Sequence, residues 1–391
     1  MRIAMIGAKG LPSLNPVGGG VETHVEHLAR HLVARGHHVT VYVRKYANPE
    51  NKKTLDGIKI VTIPSWNRKN FDAITHVFLS TLHAIGEPFD VLHYHGVGPA
   101  TLCWIPRIFK RKARTIVTFH SRDQFHEKWG LLTRMYLAFG EWAACKFPHA
   151  TITTSHGLEL LCKMMFHVQT YQIPNGVEVQ RGEVKHTKLS EFGLEPNDYF
   201  FSLARLVPHK AQDDAIKAFK KLDTNKKLVI AGSASFDDNK YAEELYRLAK
   251  GDKRIIFTGH QTGETLKELI ANCSALIHPS RSEGLSVAVL EAMSYGKIVV
   301  MSDIPENLEL IDHSGISFKV GNIEALVKAM QWVLDDPLGA QERGERAQEI
   351  IKRLYSWDAV VRHVEEVYKS KAKAYDHNLI RNRKAQAAPG N

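Results

Sequence analysis

Two cations and two carboxylates in the second half of the chain have the types and spacing to do chemistry, the cations on a diphosphate. Arg205 and Lys210 lie five residues apart in SLARLVPHKAQDDAIKAF. Glu283 and Glu291 lie eight apart in PSRSEGLSVAVLEAMSYGKIVVMSD, which runs from Pro279 to Asp303. An arginine fork and a lysine point charge near one strand end can clamp a diphosphate. The two glutamates flank a helix start, where the backbone N–H groups of Leu285, Ser286 and Val287 favour negative charge and can hold a phosphate. Any one of these residues alone reads as surface charge or a helix cap. Together in one domain they are informative.

The elements that must position them follow from periodicity. Ser286 to Tyr295 has good helix formers, with Val287, Leu290 and Met293 on one face and Gly296 as a left-handed stop. It lies between the short apolar strands ALIHP and KIVVMSD, so the unit is a βαβ element whose loop 279–286 falls beyond a strand's carboxyl end, where ligands bind. The same alternation fills the chain. RIAMIG, HVTVYVR, IKIVTIP, DVLHYHG, TIVTFH and ATITTS read as strands in the first half. YFFSLARL, KLVIAGS, RIIFTGH, ALIHPS, KIVVMSD and GISFKV read as strands in the second, with helices over 212–222 and 240–250. The first helix buries Val25, Leu28, Ala29 and Leu32 and ends at Gly36. IPNGVE, residues 173–178, is turn-rich and separates the halves. The fold class is therefore α/β, two Rossmann-like doubly wound domains.

The first strand-to-helix turn, GAKGLPSLNPVGGGVETH, brings Gly18, Gly19 and Gly20 to a helix start, where backbone can approach phosphate closely. It is not GxGxxG, and no acidic residue closes the second strand, so a dinucleotide site is disfavoured. His120 ends TIVTFH and His95 ends DVLHYH.

Composition bounds the rest. The 391 residues are 44% hydrophobic, enough for two large cores. Cys103, Cys145, Cys162 and Cys273 are scattered without ligand spacing, which fits a reducing compartment and no structural zinc; Cys145 and Cys273 read as core thiols. The amino terminus reads as a strand rather than a signal peptide, and no apolar run is long enough to span a bilayer, so a cytoplasmic protein is expected. The formal charge is +10, and residues 1–178 hold 21 Lys and Arg against 12 Asp and Glu. No nucleic-acid motif accompanies that excess, which leaves an anionic membrane surface or a phosphorylated acceptor as its partner. Residues 101–150, with 9 Lys and Arg against 3 Asp and Glu, interleave cations with Trp129, Leu131, Met135, Tyr136, Phe139 and Trp142; the aromatics read as core packing.

Taken together, the glycine loop before GVETHVEHLARHLVARGHHVTVY, TFHS, IPNGVE, ARLVPHK, SEGLSVAVLEAM and YSWD make the chain resemble, over nearly its whole length, the family 4 retaining glycosyltransferases of the GT-B fold. The resemblance implies a first domain over 1–177 that faces the acceptor, joined by a terminal helix over 356–380. It implies a nucleotide-sugar domain over 178–355 and a cleft between the two; RNRKAQAAPGN, residues 381–391, reads by itself as a disordered tail. The resemblance implies a nucleotide-sugar donor, UDP before GDP, and a glycan or lipid-linked acceptor in cell-surface polysaccharide or glycolipid synthesis; the charge excess of the first half adds peripheral attachment to the membrane. Glu291 would accept from the ribose hydroxyls, Glu283 from the sugar, and Arg205 and Lys210 would neutralise the leaving diphosphate. Gly18, Gly19, Gly20, Gly284, Leu285, Ser286 and Val287 would help hold the donor, Thr258 and Gly259 would meet the base, and His120 would touch the sugar near its reacting carbon. No cofactor is implied, and no metal: the sequence has no Asp-x-Asp, and Asp213–Asp214, Asp237–Asp238 and Asp335–Asp336 read as solvated loops or helix caps. Ala211 stands where the family usually has glycine, and reads as a tolerable, helix-compatible change. A sugar-nucleotide epimerase and a non-catalytic nucleotide-sugar binder are the rival readings, and the intact charged residues speak against the binder.

Overall fold

The structure, a computed structural model, describes residues 1–14, 19–66, 71–122, 130–180, 182, 184–234, 239–283, 285–311 and 314–370. In chain order the first stretch forms β1 (Arg2–Ile6), α1 (Gly20–Ala34), β2 (His38–Arg44), β3 (Thr54–Leu55), β4 (Ile58–Ile63), α2 (Phe71–Gly86), β5 (Val91–His95), α3 (Val97–Ala100), α4 (Trp104–Phe109), β6 (Arg114–Phe119), α5 (Leu131–Lys146), β7 (Ala150–Thr153), α6 (His156–Phe166) and β8 (Tyr171–Gln172). The second forms β9 (Tyr199–Leu203), α7 (Gln212–Phe219), β10 (Lys227–Ala231), α8 (Lys240–Ala249), β11 (Ile255–Gly259), α9 (Gly263–Ala271), β12 (Ala275–His278), α10 (Val287–Ser294), β13 (Val299–Ser302), α11 (Pro305–Ile311), β14 (Ile316–Phe318), α12 (Ile323–Asp335) and α13 (Pro337–Ile350). A final helix, α14 (Trp357–Lys369), follows. The chain divides into two compact units, Met1–Gly176 with Trp357–Asn391, and Val177–Ser356.

The second unit has a parallel sheet in the order β11-β10-β9-β12-β13-β14, the doubly wound order of a Rossmann domain. Its strands are nearly all apolar because helices cover both faces; Phe200, Leu228, Ile230, Ile277 and Val300 are at most 1% exposed. The order reverses between β9 and β12, and this is where the loops carrying Lys210 and Glu283 start. The expected helix over 212–222 stops at Phe219, because the amides of Lys221 and Leu222 bond three residues back and tighten the last turn.

The first unit repeats the plan, in the order β3-β4-β2-β1-β5-β6-β7-β8, with only the two-residue β3 antiparallel. Its reversal lies between β1 and β5. Val25, Leu28, Ala29 and Leu32 of α1 are fully buried, and α14 adds Trp357, Val360, Val361, Val364, Val367 and Tyr368 to the same core. Each such aliphatic side chain contributes about 1.5–3 kcal/mol by burial. Gly7, at φ +122°, ends β1 where a Cβ would sit 2.6 Å from the carbonyl oxygen of His95, so glycine is required for the turn to pass close beside β5.

The aromatic stretch after residue 130 corrects its sequence reading. Leu137, Ala143, Ala144 and Cys145 are the inward residues of α5, and a Cβ at Gly140 would collide with the carbonyl of Val97. The small face therefore packs, against α3, and Met135, Phe139 and Trp142 point outward, 61%, 44% and 40% exposed. Tyr136 is partly buried, with its hydroxyl on Thr101, while Trp129 lies outside the described residues. Cys145 and Cys273 are buried, as expected.

Candidate functional site

In the second unit the reversal point brings together residues far apart in sequence. The Lys210 ammonium lies 2.6 Å from both carboxylate oxygens of Glu283. His278, the last residue of β12, places Nε2 2.9 Å from the same carboxylate. The Glu283 side chain is only 7% exposed and that of His278 3%. Burial alone would raise the Glu283 carboxyl, but the hydrogen bond and charge of His278 and the Lys210 ammonium outweigh it and hold the group at about 2. Lys210 closes a 3-10 turn, Pro208–Lys210, that is bolted to the Glu283 loop by Arg281: its amide donates to the His209 carbonyl at 2.8 Å, and its guanidinium to the Pro208 carbonyl at 3.1 Å and to Asp214 at 2.9 Å.

Asp213 and Asp214 are thereby corrected: they are not solvated but buried in the first turn of α7. There Asp213 takes Lys217 and the Tyr241 hydroxyl, and Asp214 takes Arg281. Asp336 does cap α13, accepting from the Gly339 amide, while Asp335 ends α12; Asp237 and Asp238 lie outside the described residues. Ala211 also needs a correction. It has φ +53° and ψ +37°, left-handed rather than helical, because the chain must reverse from the 3-10 turn into α7. Arg205 follows β9 with its side chain exposed, and its carbonyl is held by the buried Gln212 amide at 2.9 Å. Gly232 passes so close to the Ala204 carbonyl that a side chain there would collide with it.

Leu285, Ser286 and Val287 form the start of α10, with Ser286 at the N-cap, and Glu291 is half-buried on the same helix. Gly284 lies outside the described residues. Thr258 and Gly259 end β11; Gly259 has φ +72° and its carbonyl accepts from the Gly232 amide at 2.8 Å.

In the first unit Gly20 opens α1 and Gly19 caps it, while Gly18 lies outside the described residues. The Gly19 amide donates to the Glu22 carboxylate at 2.8 Å, because an acid three residues into a helix folds back onto the cap. His120 follows β6 and His95 ends β5; His95 Nδ1 lies 3.4 Å from His120 Nε2. Burial is the main cause that keeps both imidazoles neutral, holding them well below the ordinary histidine range. Thr154 donates to the His120 carbonyl at 3.2 Å. Sequence reasoning did not single out His24, His278 or Arg281. The signal for His278 was its place at a strand end five residues before Glu283.

The chain matches two family models, "Glycosyltransferase Family 4" over residues 18–181 and "Glycosyl transferases group 1" over residues 187–357. It is 26% identical to an uncharacterized glycosyltransferase of Methanocaldococcus jannaschii, with 94% of this chain and 98% of that protein aligned. It is 23% identical to the gpi3 subunit of the Schizosaccharomyces pombe phosphatidylinositol N-acetylglucosaminyltransferase, over 91% of this chain and 78% of that protein. Its fold is similar to the crystal structure of Anabaena HepE in complex with UDP, at a TM-score of 0.76 and 19% identity over 94% of this chain and 99% of that one.

Proposed function

This chain belongs to the family 4 glycosyltransferases and has the GT-B fold, and from that premise we propose that it transfers a sugar, with retention of anomeric configuration, from a nucleoside diphosphate sugar. Uridine is the favoured base, because UDP is bound in the similar HepE structure. The observation that carries the reading is the Lys210–Glu283–His278 group at the strand-order reversal of the second unit, where doubly wound sheets take ligands.

As the bond from anomeric carbon to phosphate breaks, its electrons go to the diphosphate. The acceptor oxygen bonds to the same face of the carbon, and its proton passes to the departing phosphate oxygen. Negative charge grows on the diphosphate, and stabilising it is an electrostatic task worth several kcal/mol. The Lys210 ammonium, the exposed Arg205 guanidinium and the start of α10 are the proposed carriers of that task. A diphosphate that draws Lys210 away frees Glu283 to accept from sugar hydroxyls while His278 stays on its Oε1. Glu291 accepts from the ribose, Thr258 and Gly259 meet the base, and His120 touches the sugar. No metal is required in this scheme. The test is UDP release from UDP-sugars with and without acceptor, in EDTA. Loss of activity in EDTA with recovery in magnesium or manganese overturns metal independence. Isomerised sugar nucleotide would mean an epimerase, and binding without turnover a binder.

A specific surface favours a membrane-bound acceptor. Trp104, Ile108 and Phe109 of α4 and Phe139 and Trp142 of α5 are exposed. A cavity of about 630 Å³ opens among Trp104, Ile108, Phe139, Phe147, Arg107 and Lys146. Apolar rings beside cations fit an anionic bilayer, and the S. pombe relative is named for phosphatidylinositol. Among the described residues no helix is long and apolar enough to cross a membrane, and the contact proposed is peripheral. Co-sedimentation with vesicles is expected to rise with anionic lipid and fall with salt; equal binding to neutral and anionic vesicles, or none, overturns it.

A further inference from the structure

Three histidines of the first unit converge where its strand order reverses. His95 and His120 stand at the carboxyl ends of the adjacent parallel strands β5 and β6, and His24 is the fifth residue of α1. One ring nitrogen from each lies within 4.8 Å of the others. The His24 ring is 4.7 Å from that of His120 and 5.7 Å from that of His95, centroid to centroid. His24 and His95 are 6% and 1% exposed, and His24 Nδ1 and His95 Nε2 are buried with no hydrogen-bond partner among the described residues. Leaving such atoms unmatched is costly. Behind the cluster His93 is fixed through both nitrogens, to the Tyr368 hydroxyl at 2.8 Å and to Thr118 at 2.7 Å, with its ring 4.1 Å from that of His95. It buttresses the cluster and has no nitrogen to give.

We propose that His24, His95 and His120 bind a divalent transition-metal ion of the imidazole-preferring class, for which Zn²⁺ is the probe. Metal ligation needs neutral imidazole, which burial already supplies. Three nitrogen donors without carboxylate or thiolate suit zinc, copper or nickel rather than magnesium, calcium or manganese, and leave one coordination position open. The consequence rests on the function proposed above: an ion that takes His120 withdraws it from the sugar, so Zn²⁺ inhibits transfer instead of supporting it.

Binding is read without any turnover. The full chain, dialysed against EDTA, is titrated with Zn²⁺ against a chromophoric chelator, and Co²⁺ is added in parallel to read its visible ligand-field bands. One ion per chain is expected, with no competition from magnesium. His24→Asn and His95→Gln should each weaken the site by about 100-fold or more, against the 10–100-fold typical of losing only an outer-sphere partner. Substitution of His27, on the same helix, should leave it unchanged. Absence of one-to-one binding in the unmodified chain, or binding that survives both ligand substitutions, overturns the proposal. Should a variant fail to fold by circular dichroism, the unmodified chain still decides: a rise in its melting temperature at one equivalent of Zn²⁺ supports the site, and no rise removes it. If the site forms but UDP-sugars are never turned over, the transferase reading fails and the metal site stands. If turnover is normal but no ion binds, the reverse holds.

Discussion

At the scale of single residues, Lys210 and Glu283 set each other's state. The carboxylate is nearly buried and depends on Lys210 and His278 to stay ionised. Breaking a fully buried pair costs about 3–5 kcal/mol. Here Lys210 is partly exposed and His278 remains, so Lys210→Ala should cost on the order of 2 kcal/mol in urea unfolding. The same substitution should lower kcat, because its charge is proposed to act on the transition state, whereas Glu291→Gln should chiefly raise the donor KM by weakening a grip present in both states. Wild-type kinetics in either variant would remove the role assigned to that residue. Arg205, Lys210, Glu283 and Glu291 stand out in the sequence because each sits at a fixed offset inside a local motif, and of these the structure brings Lys210 and Glu283 into contact. Their mutual geometry was not legible. Lys210 and Glu283 are 73 residues apart, and they meet only because β9 and β12 are neighbours in the sheet. His24, His278 and Arg281 were missed for the same reason: each acts on something brought near by strand order.

At the scale of elements, most strands could be read from their apolar runs, while β3 and β8, two residues each, are too short to show a pattern. The helix α5 was misread because large apolar residues were assumed to face inward, and its packed face is made of small ones. The junction Ala211 was misread because its left-handed backbone shows only in three dimensions. Magnitudes explain why alanine is tolerated there. The left-handed conformation costs about 1–2 kcal/mol, but a glycine would give up a buried methyl worth about 0.8 kcal/mol and about 0.4–1 kcal/mol of chain entropy. Ala211→Gly should therefore melt within about 1 kcal/mol of the unmodified protein. Ala211→Val should lose about 3 kcal/mol, since a β-branched residue is strained at positive φ and the position is fully buried. A stable valine variant would contradict the left-handed assignment. The terminal helix gives a second test. The Trp357 indole covers Gly176 so closely that a Cβ would collide with it, and Arg35 and His37 both hold Glu365 on the same helix. Gly176→Ala should displace the indole and destabilise the first unit by about 1–3 kcal/mol, read as a shift in Trp357 emission; unchanged emission and melting would show that the contact is slack.

At the scale of the whole molecule, the two units differ in charge more than the two halves of the sequence do. The unit that includes the terminal segment carries 28 Lys and Arg against 15 Asp and Glu, and the other 24 against 27, so the entire positive excess belongs to the first. That unit also holds a buried histidine and a half-buried one that acid must charge. His76, fully buried on α2, is pushed down to about 4 by burial and then by the Arg44 guanidinium. His149 is pushed to about 4 by burial, Arg107 and Arg114. A histidine lowered on folding gives full stability above the ordinary value of 6.5. As the pH falls below that value the unfolded chain binds protons that the folded chain refuses, and stability drops until the folded value is reached. For His76 alone the loss approaches about 3 kcal/mol between pH 6.5 and 4. The paired carboxylate of the second unit behaves differently. Glu283, held at about 2, keeps its contribution above 4.5 and loses it only as the pH falls from there towards 2. Acidification from pH 7 to 5 should therefore loosen the first unit and spare the second. Hydrogen exchange resolved along the chain can read this directly, as lower protection at pH 5 in β1, β2, β5 and α2, after correction for intrinsic exchange, with β9, β10 and β12 nearly unchanged. Earlier opening of the second unit, or equal loosening of both, would mean that some other group governs the acid response.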